Sequence, residues 1–372
     1  MAQNLQKSAN MPQYQIINTC GTSVLTNPAK GNEELSNILT KYSNAKSEKD
    51  IPADIYKIIT EHWEQLLSKW NEKNESEAKK ASAELKCLLT WQRNNNVEKS
   101  NCIYYLIHTD TILGELAAEL VEEWMKKNGY ENVQLQKIES LNTQSLHDFE
   151  VGLSNFAKWA FELKNSDNYS QFIFNIAGGF KSVSGFAQVL GTFIADQTIY
   201  IFEGGDEVLQ VPHLPIVWSE IDTIRKNAYS YRKVSLGIQL DSYSELNPLW
   251  IQNGKFSPWG QIAWENAKRT IYREEVLPFE CDFVCEGNDF RNSVKDLPQD
   301  RIWHINERID DLIVFAISNR KNNVRRLDYK KLRGSHAYTH ECDAWADGDA
   351  KRLFCNELNG KIIIEKLDKA LH

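Results

Sequence analysis

Along roughly the first two hundred residues, short apolar runs alternate with stretches whose apolar positions recur at helical spacing. The runs predict strands over residues 15–19, 102–108, 133–138, 171–176 and 198–202, with a last one at 208–211. Helical patterns at 111–127, 145–163 and 182–195 fill the gaps. This alternation is that of a doubly wound α/β sheet. The gap at 27–101 is too long for one connection. Ile55, Ile58, Ile59, Trp63, Leu66, Leu67 and Trp70, then Leu85, Leu88 and Leu89, fall at helical spacing there, which predicts an inserted helical hairpin. Its polar turn, 71–80, is expected to be a solvated loop.

The pattern changes at 212–278, where Pro212, Pro215, Pro248 and Pro258 punctuate two helical stretches, 216–231 and 259–273. We read 216–276 as a helical linker. Trp250, Trp259, Trp264 and Tyr272 are expected to pack inward rather than form an interaction patch. Beyond it, a strand at 280–286 precedes helices at 289–296 and 299–318, the second carrying Ile302, Ile305, Ile309, Leu312 and Ile313 on one face. Antiparallel strands at 338–345, 351–356 and 361–367 follow, joined by turns at Ala346-Asp-Gly-Asp349 and Asn359-Gly360. The reading is an α/β domain over 1–215 with an insertion at about 27–101, the linker, and an α+β domain over 277–372.

Composition narrows the class. With 42% hydrophobic and 25% charged residues, the 372-residue chain is an ordinary globular one. It has no apolar run long enough for a membrane helix, and residues 1–12 are polar, so the cytoplasm is the expected location. Seven cysteines, an odd number spread over predicted strands and helices, point to reduced thiols rather than a disulfide framework. A net charge of −8 argues against a nucleic-acid coat but leaves room for a local basic patch.

Two loops carry candidate chemistry. Asn175-Ile-Ala-Gly-Gly-Phe-Lys-Ser182 runs from a strand into a helix, with Gly178 and Gly179 clearing the way for backbone N–H groups and Lys181 adding a charge. Taken alone it is also what a tight turn with a surface lysine looks like. Cys20-Gly21-Thr22-Ser23 supplies a second glycine and two hydroxyls at the end of the first strand. Ligands of open parallel sheets bind beyond the carboxyl ends of the strands, so the two loops predict one pocket for a phosphate-bearing ligand. The G-x-G-x-x-G fingerprint of a nicotinamide fold is absent after the first strand.

These loops resemble the CRISPR-associated Rossmann fold (CARF) sensor domains of the Csm6 and Csx1 type, over roughly residues 10–215. The resemblance implies a homodimer that binds a cyclic oligoadenylate, foremost cyclic tetra-adenylate, as an allosteric activator. Gly21, Thr22, Ser23, Gly178, Gly179, Lys181 and Ser182 would contact its phosphates and riboses.

Charge dominates residues 320–336, where Arg320, Lys321, Arg325, Arg326, Lys330, Lys331 and Arg333 face a single acid, Asp328. Such a cluster before a small sheet suits an RNA backbone, and a ribose 2′-OH nucleophile needs no metal. Standing alone, the cluster reads first as a solvated basic face. The order of elements, with Cys281-Asp-Phe-Val-Cys285, Leu332-Arg-Gly-Ser-His336 and Gly348-Asp-Ala-Lys-Arg352-Leu-Phe354, resembles the RelE family of messenger-RNA interferases, a microbial RNase fold. That resemblance implies metal-independent cleavage of mRNA in the ribosomal A site. Arg352 would stabilise the scissile phosphate, and His372 and Lys369 lie where some relatives carry a catalytic residue. Arg325, Arg326, Lys330 and Arg333 would hold RNA.

Several relatives place two lysines on the second strand, whereas this chain has Glu341, Cys342, Asp343 and Trp345. The general base is therefore open among His336, His340 and Lys331. Cys281, Cys285, Cys342 and Cys355 do not have zinc-knuckle spacing. The combined expectation is a messenger-gated, ribosome-dependent endoribonuclease of type III CRISPR antiviral defence with no cofactor and no membrane contact. Its rivals are a messenger-gated nucleic-acid-binding regulator that does not cut, and a ring nuclease that degrades the messenger.

Overall fold

The computed structural model describes residues 13–167, 169–202, 205–213, 221–333 and 337–369. The chain divides into two compact units, Met1–Val217 and Trp218–His372.

The first unit is built on a six-stranded sheet of β1 (Tyr14–Thr19), β2 (Cys102–His108), β3 (Val133–Lys137), β4 (Gln171–Asn175), β5 (Gln197–Ile201) and β6 (Val208–Val211). Their order is β3-β2-β1-β4-β5-β6, with the first five parallel and β6 antiparallel to β5. The strands lie where the sequence predicts them to within about a residue, and β1, β2 and β4, buried along nearly their whole length, read as near-continuous apolar runs. The order reverses between β1 and β4, which opens a crevice at their carboxyl ends. Asn18 pairs with Asn175 at that point, so the two glycine loops leave the sheet side by side.

Helices α1 (Ser23–Thr26), α2 (Glu33–Lys41), α3 (Ala53–Glu72), α4 (Glu75–Ala81) and α5 (Ala83–Asn95) follow β1. The insertion is thus more than a hairpin, and the expected polar loop at 71–80 contains most of α4. Asn74 accepts from Glu77 N while Glu77 Oε2 accepts from Asn74 N, a capping box that starts a helix in a polar segment. Ser82 then caps α5 by accepting from Leu85 N. Leu85 and Leu88 of α5 share one buried cluster with Ile16, Ile173 and Ile199 of the sheet, so the insertion is a layer of the core. The same cluster holds Leu113, Ala117 and Trp124 of α6 (Ile112–Lys127). Helices α7 (Leu146–Ser166) and α8 (Lys181–Ile194) pack on each other, with the Phe156 and Phe186 rings 6.3 Å apart.

In the second unit, the residues expected as a linker form part of a core. Helices α9 (Ile221–Lys226), α10 (Ala228–Ser235) and α11 (Pro258–Glu274) bury Tyr231, Trp250, Trp264 and Tyr272 in one cluster with Trp303. Trp259 departs from the inward packing expected of all four aromatics and is exposed. A two-residue hairpin, β7 (Ile251–Gln252) and β8 (Lys255–Phe256), turns through Asn253 and Gly254, both at positive φ. A five-stranded sheet follows, built from β9 (Val284–Glu286), β10 (Lys330–Lys331), β11 (His340–Trp345), β12 (Lys351–Leu358) and β13 (Lys361–Lys369) in the order β10-β11-β12-β13-β9. Only β9 and β13 are parallel. Helices α12 (Phe290–Val294) and α13 (Gln299–Ile317) cover one face, where Ile305, Ile309, Leu312 and Ile313 meet Cys342, Leu353, Cys355 and Ile364.

A buried polar network ties α10 and α11 to α13. Arg232, 1% exposed, donates through Nε to Asp310 Oδ1 at 2.7 Å and through Nη2 to Asn306 O at 2.9 Å. Tyr272 donates to Asp310 Oδ2 at 2.7 Å, and Asn306 Nδ2 caps Glu275 O. Buried charges persist only when paired and hydrogen-bonded in this way.

Candidate ligand cleft and nuclease face

At the switch point of the first unit, the two glycine loops touch. A Cβ on Gly21 would lie 2.8 Å from Gly179 N, so only glycine allows this approach. Gly179 has φ +88°, a conformation that also favours glycine. Thr19 Oγ1 donates to Gly178 O at 2.6 Å, and Ser184 Oγ donates to the same oxygen at 2.9 Å. Asn175 Nδ2 donates to Asn18 Oδ1 at 2.9 Å, joining the ends of β4 and β1.

Helix α8 starts at Lys181 with Phe180 as its N-cap, no side-chain cap and no acid in its first turn. Lys181 and Ser182 are exposed there. An uncapped helix N-terminus with a lysine leaves N–H donors and a positive charge that could receive an anion. Gly21, Gly178, Gly179, Lys181 and Ser182 are therefore brought together. Thr22 and Ser23 pass into α1, and Ser23 lines a cavity of about 270 Å³ on the insertion side with Lys69, Trp70, Lys73 and Lys80.

Sequence reasoning missed Glu84. This side chain, 2% exposed, reaches from α5 under both loops; its Oε1 accepts from Gly21 N at 2.7 Å and its Oε2 from Ser82 Oγ at 2.7 Å. A Cβ on Gly178 would meet its Cγ and carboxyl within 2.2–2.4 Å. The Gly21 amide expected to receive a phosphate already holds a carboxylate. Burial, and then the charge of Glu84, push the neighbouring Cys20 thiol well above its ordinary range. That thiol is no nucleophile near neutral pH.

In the second unit, register sorts the candidate residues onto two faces. Residues opposite each other on antiparallel strands share a face, and successive residues alternate. Asp343 lies opposite Arg352, Glu341 opposite Phe354 and Lys330, and Phe354 opposite Lys366, all on the face away from α13. Arg352 Nη1 donates to Glu341 Oε1, and its Nε lies 3.3 Å from Asp343 Oδ1. Its Nη2 has no hydrogen bond to a described residue. Glu341 is 4% exposed, and its Oε2 is buried without a partner among the described residues. Tyr338 packs on Phe354 with ring centroids 5.5 Å apart and lies 5.6 Å from Lys366 Nζ.

His340 and Lys331 pair with each other on the opposite face. The His340 ring stacks on Tyr329 at 5.2 Å, its Nε2 lies 3.5 Å from Glu357 Oε1, and burial lowers its pKa against the pull of Glu357. The structure does not bring His340 or Lys331 to Arg352. Lys369 is exposed at the end of β13 opposite Lys351, again out of phase with Arg352. His336 and His372 lie outside the described residues.

The basic stretch is partly neutralised. Arg326 Nη2 donates to Asp311 Oδ1 at 2.8 Å, Arg320 pairs with Glu357 at 2.9 Å, and Lys330 pairs with Asp328. Arg325 and Arg333 are exposed. Among the described residues, no group of three or more His, Cys, Asp or Glu side chains is placed to hold a metal ion.

Residues 79–214 match the family model of a CRISPR-associated protein, Cas_APE2256. The match runs from the end of α4 through β6, and so takes in Glu84, Gly178, Gly179 and Lys181 but not the loop after β1. It is consistent with a CRISPR-related role. No curated protein matches the chain. No helix among the described residues is long and apolar enough to cross a membrane.

Proposed function

We propose that the chain is a cyclic-oligoadenylate-gated, ribosome-dependent endoribonuclease of CRISPR defence: a CARF-like sensor in the first unit and a RelE-like ribonuclease in the second. The observation that carries the sensor half is the meeting of two glycine loops at the switch point, beside the open N-terminus of α8 and Lys181, the second of these loops lying within the CRISPR-family match. In a homodimer, two such clefts would receive one cyclic messenger, and gating requires that the messenger bind the active state more tightly than the resting one.

For the ribonuclease half, the support is the Arg352 guanidinium between two carboxylates. Arginine carries five N–H donors, so Nη2 is open to a scissile phosphate while Nη1 and Nε hold Glu341 and Asp343. Asp343, partly exposed beside Arg352 Nε, takes the proton of the ribose 2′-OH, whose oxygen attacks phosphorus and expels the 5′-oxygen, which takes a proton from water. Arg352 stabilises the charge gathering on the phosphoryl oxygens. On this reading Asp343, rather than His340 or Lys331, is the base on the Arg352 face, and the buried Glu341 positions the guanidinium. Cleavage by an Arg352→Ala chain that still binds messenger tests the assignment: lost cleavage supports it, and retained cleavage moves the active site elsewhere.

A further inference from the structure

The insertion ends in the floor of the proposed ligand cleft, and the contact is a charge. Both Glu84 oxygens are taken, Oε1 by the Gly21 amide and Oε2 by Ser82 Oγ, while the Glu84 carbonyl accepts from Asn175 Nδ2 at 2.9 Å. One residue of α5 therefore joins the loop after β1 to the end of β4. No described cation pairs with it. The nearest lysine on the same helix, Lys86, is instead held by Gly205 O at 2.5 Å and Asp206 Oδ1 at 3.2 Å.

From this we propose that Glu84 is a resident anion of the cleft. It positions both glycine loops, and its charge keeps a ligand's phosphates off the Gly21 amide and directs them to the N-terminus of α8 and Lys181. The role is that of a positioning and specificity-determining residue, since a side chain so buried does not touch the ligand. The ligand part of the inference rests on the sensor reading above; the loop-holding part does not.

Two consequences follow from the geometry. Gly178 must be glycine because the Glu84 side chain occupies the space of its Cβ. The insertion is also mechanically joined to the cleft, so loop movement on binding reaches α5.

The test compares Glu84→Gln with Glu84→Ala in the full chain. Glutamine keeps an acceptor for Gly21 N–H and offers a donor to Ser82 Oγ, but removes the charge. Cyclic tetra-adenylate, titrated calorimetrically, should bind Glu84→Gln roughly tenfold tighter than the parent, a direction that loss of a merely structural contact does not produce. Equal or weaker binding by a folded Glu84→Gln overturns the proposal. Amide exchange of Gly21 without ligand decides the loop-holding part. Glu84→Ala should speed exchange about tenfold or more while Glu84→Gln keeps protection, and unchanged exchange in Glu84→Ala overturns it. If neither parent nor Glu84→Gln binds any cyclic oligoadenylate, the sensor reading and the ligand part fail, while the exchange result still decides the anchor.

Discussion

Arg352 lies directly opposite Asp343 across β11 and β12, yet its Nη1 closes on Glu341, the diagonal neighbour two residues along the strand. The guanidinium thereby spans two carboxylates, one of them with a buried oxygen that has no described partner. An unmade hydrogen bond at such a place costs about 1–3 kcal/mol.

If Asp343 is the base, Asp343→Asn keeps the shape and an acceptor for Arg352 Nε but cannot take a proton. Cleavage should fall about 10²–10⁴-fold with messenger affinity intact. Asp343→Asn with parental cleavage rates would assign the proton transfer to another group.

Lys181 stands at the start of α8 with its charge exposed. Lys181→Ala should weaken cyclic tetra-adenylate binding roughly tenfold or more and abolish activation, without changing the thermal midpoint, because an exposed lysine carries little stability. Undiminished activation of this variant would remove the sensor assignment.

The network around Asp310 predicts stability rather than activity. Asp310→Ala leaves Arg232 buried without its partner, at a cost of about 3–5 kcal/mol. Urea titration of the second unit's transition should show it, and a loss below about 1 kcal/mol would mean that Arg232 finds water or another acceptor.

Acid stability offers a further check. His108 is buried at the end of β2, and burial lowers its pKa against the pull of its contact with Thr109 O. Between that lowered value and the unfolded value of about 6.5, the unfolded chain binds the extra proton, so stability falls as pH drops through this window. His108→Gln should flatten the fall in the first unit's thermal midpoint between about pH 7 and pH 5; an unchanged slope would assign it to other groups.

Much of this fold is legible in the residues, and the exceptions have physical reasons. The span of β2 is read correctly to the residue because it is a bounded apolar run, and the Asn359-Gly360 turn has the positive φ angles its residue types demand. The β7–β8 hairpin carries the same Asn-Gly signal, but its strands are two residues long and leave no alternation to see. Glu84 was invisible because its partner Gly21 is 63 positions away and only the folded insertion joins them. Separating Lys331 and His340 from Arg352 required register, since a shift of one residue exchanges the faces.

The most direct test of the central claim is an in vitro translation reaction with mapped mRNA 5′ ends, run with and without each cyclic oligoadenylate and with naked mRNA as control. The account predicts messenger-dependent cuts within codons, only on translating ribosomes, and none with Arg352→Ala. Cutting of naked mRNA would contradict ribosome dependence, and no cutting under any condition would contradict the nuclease itself, leaving a messenger-gated binding protein.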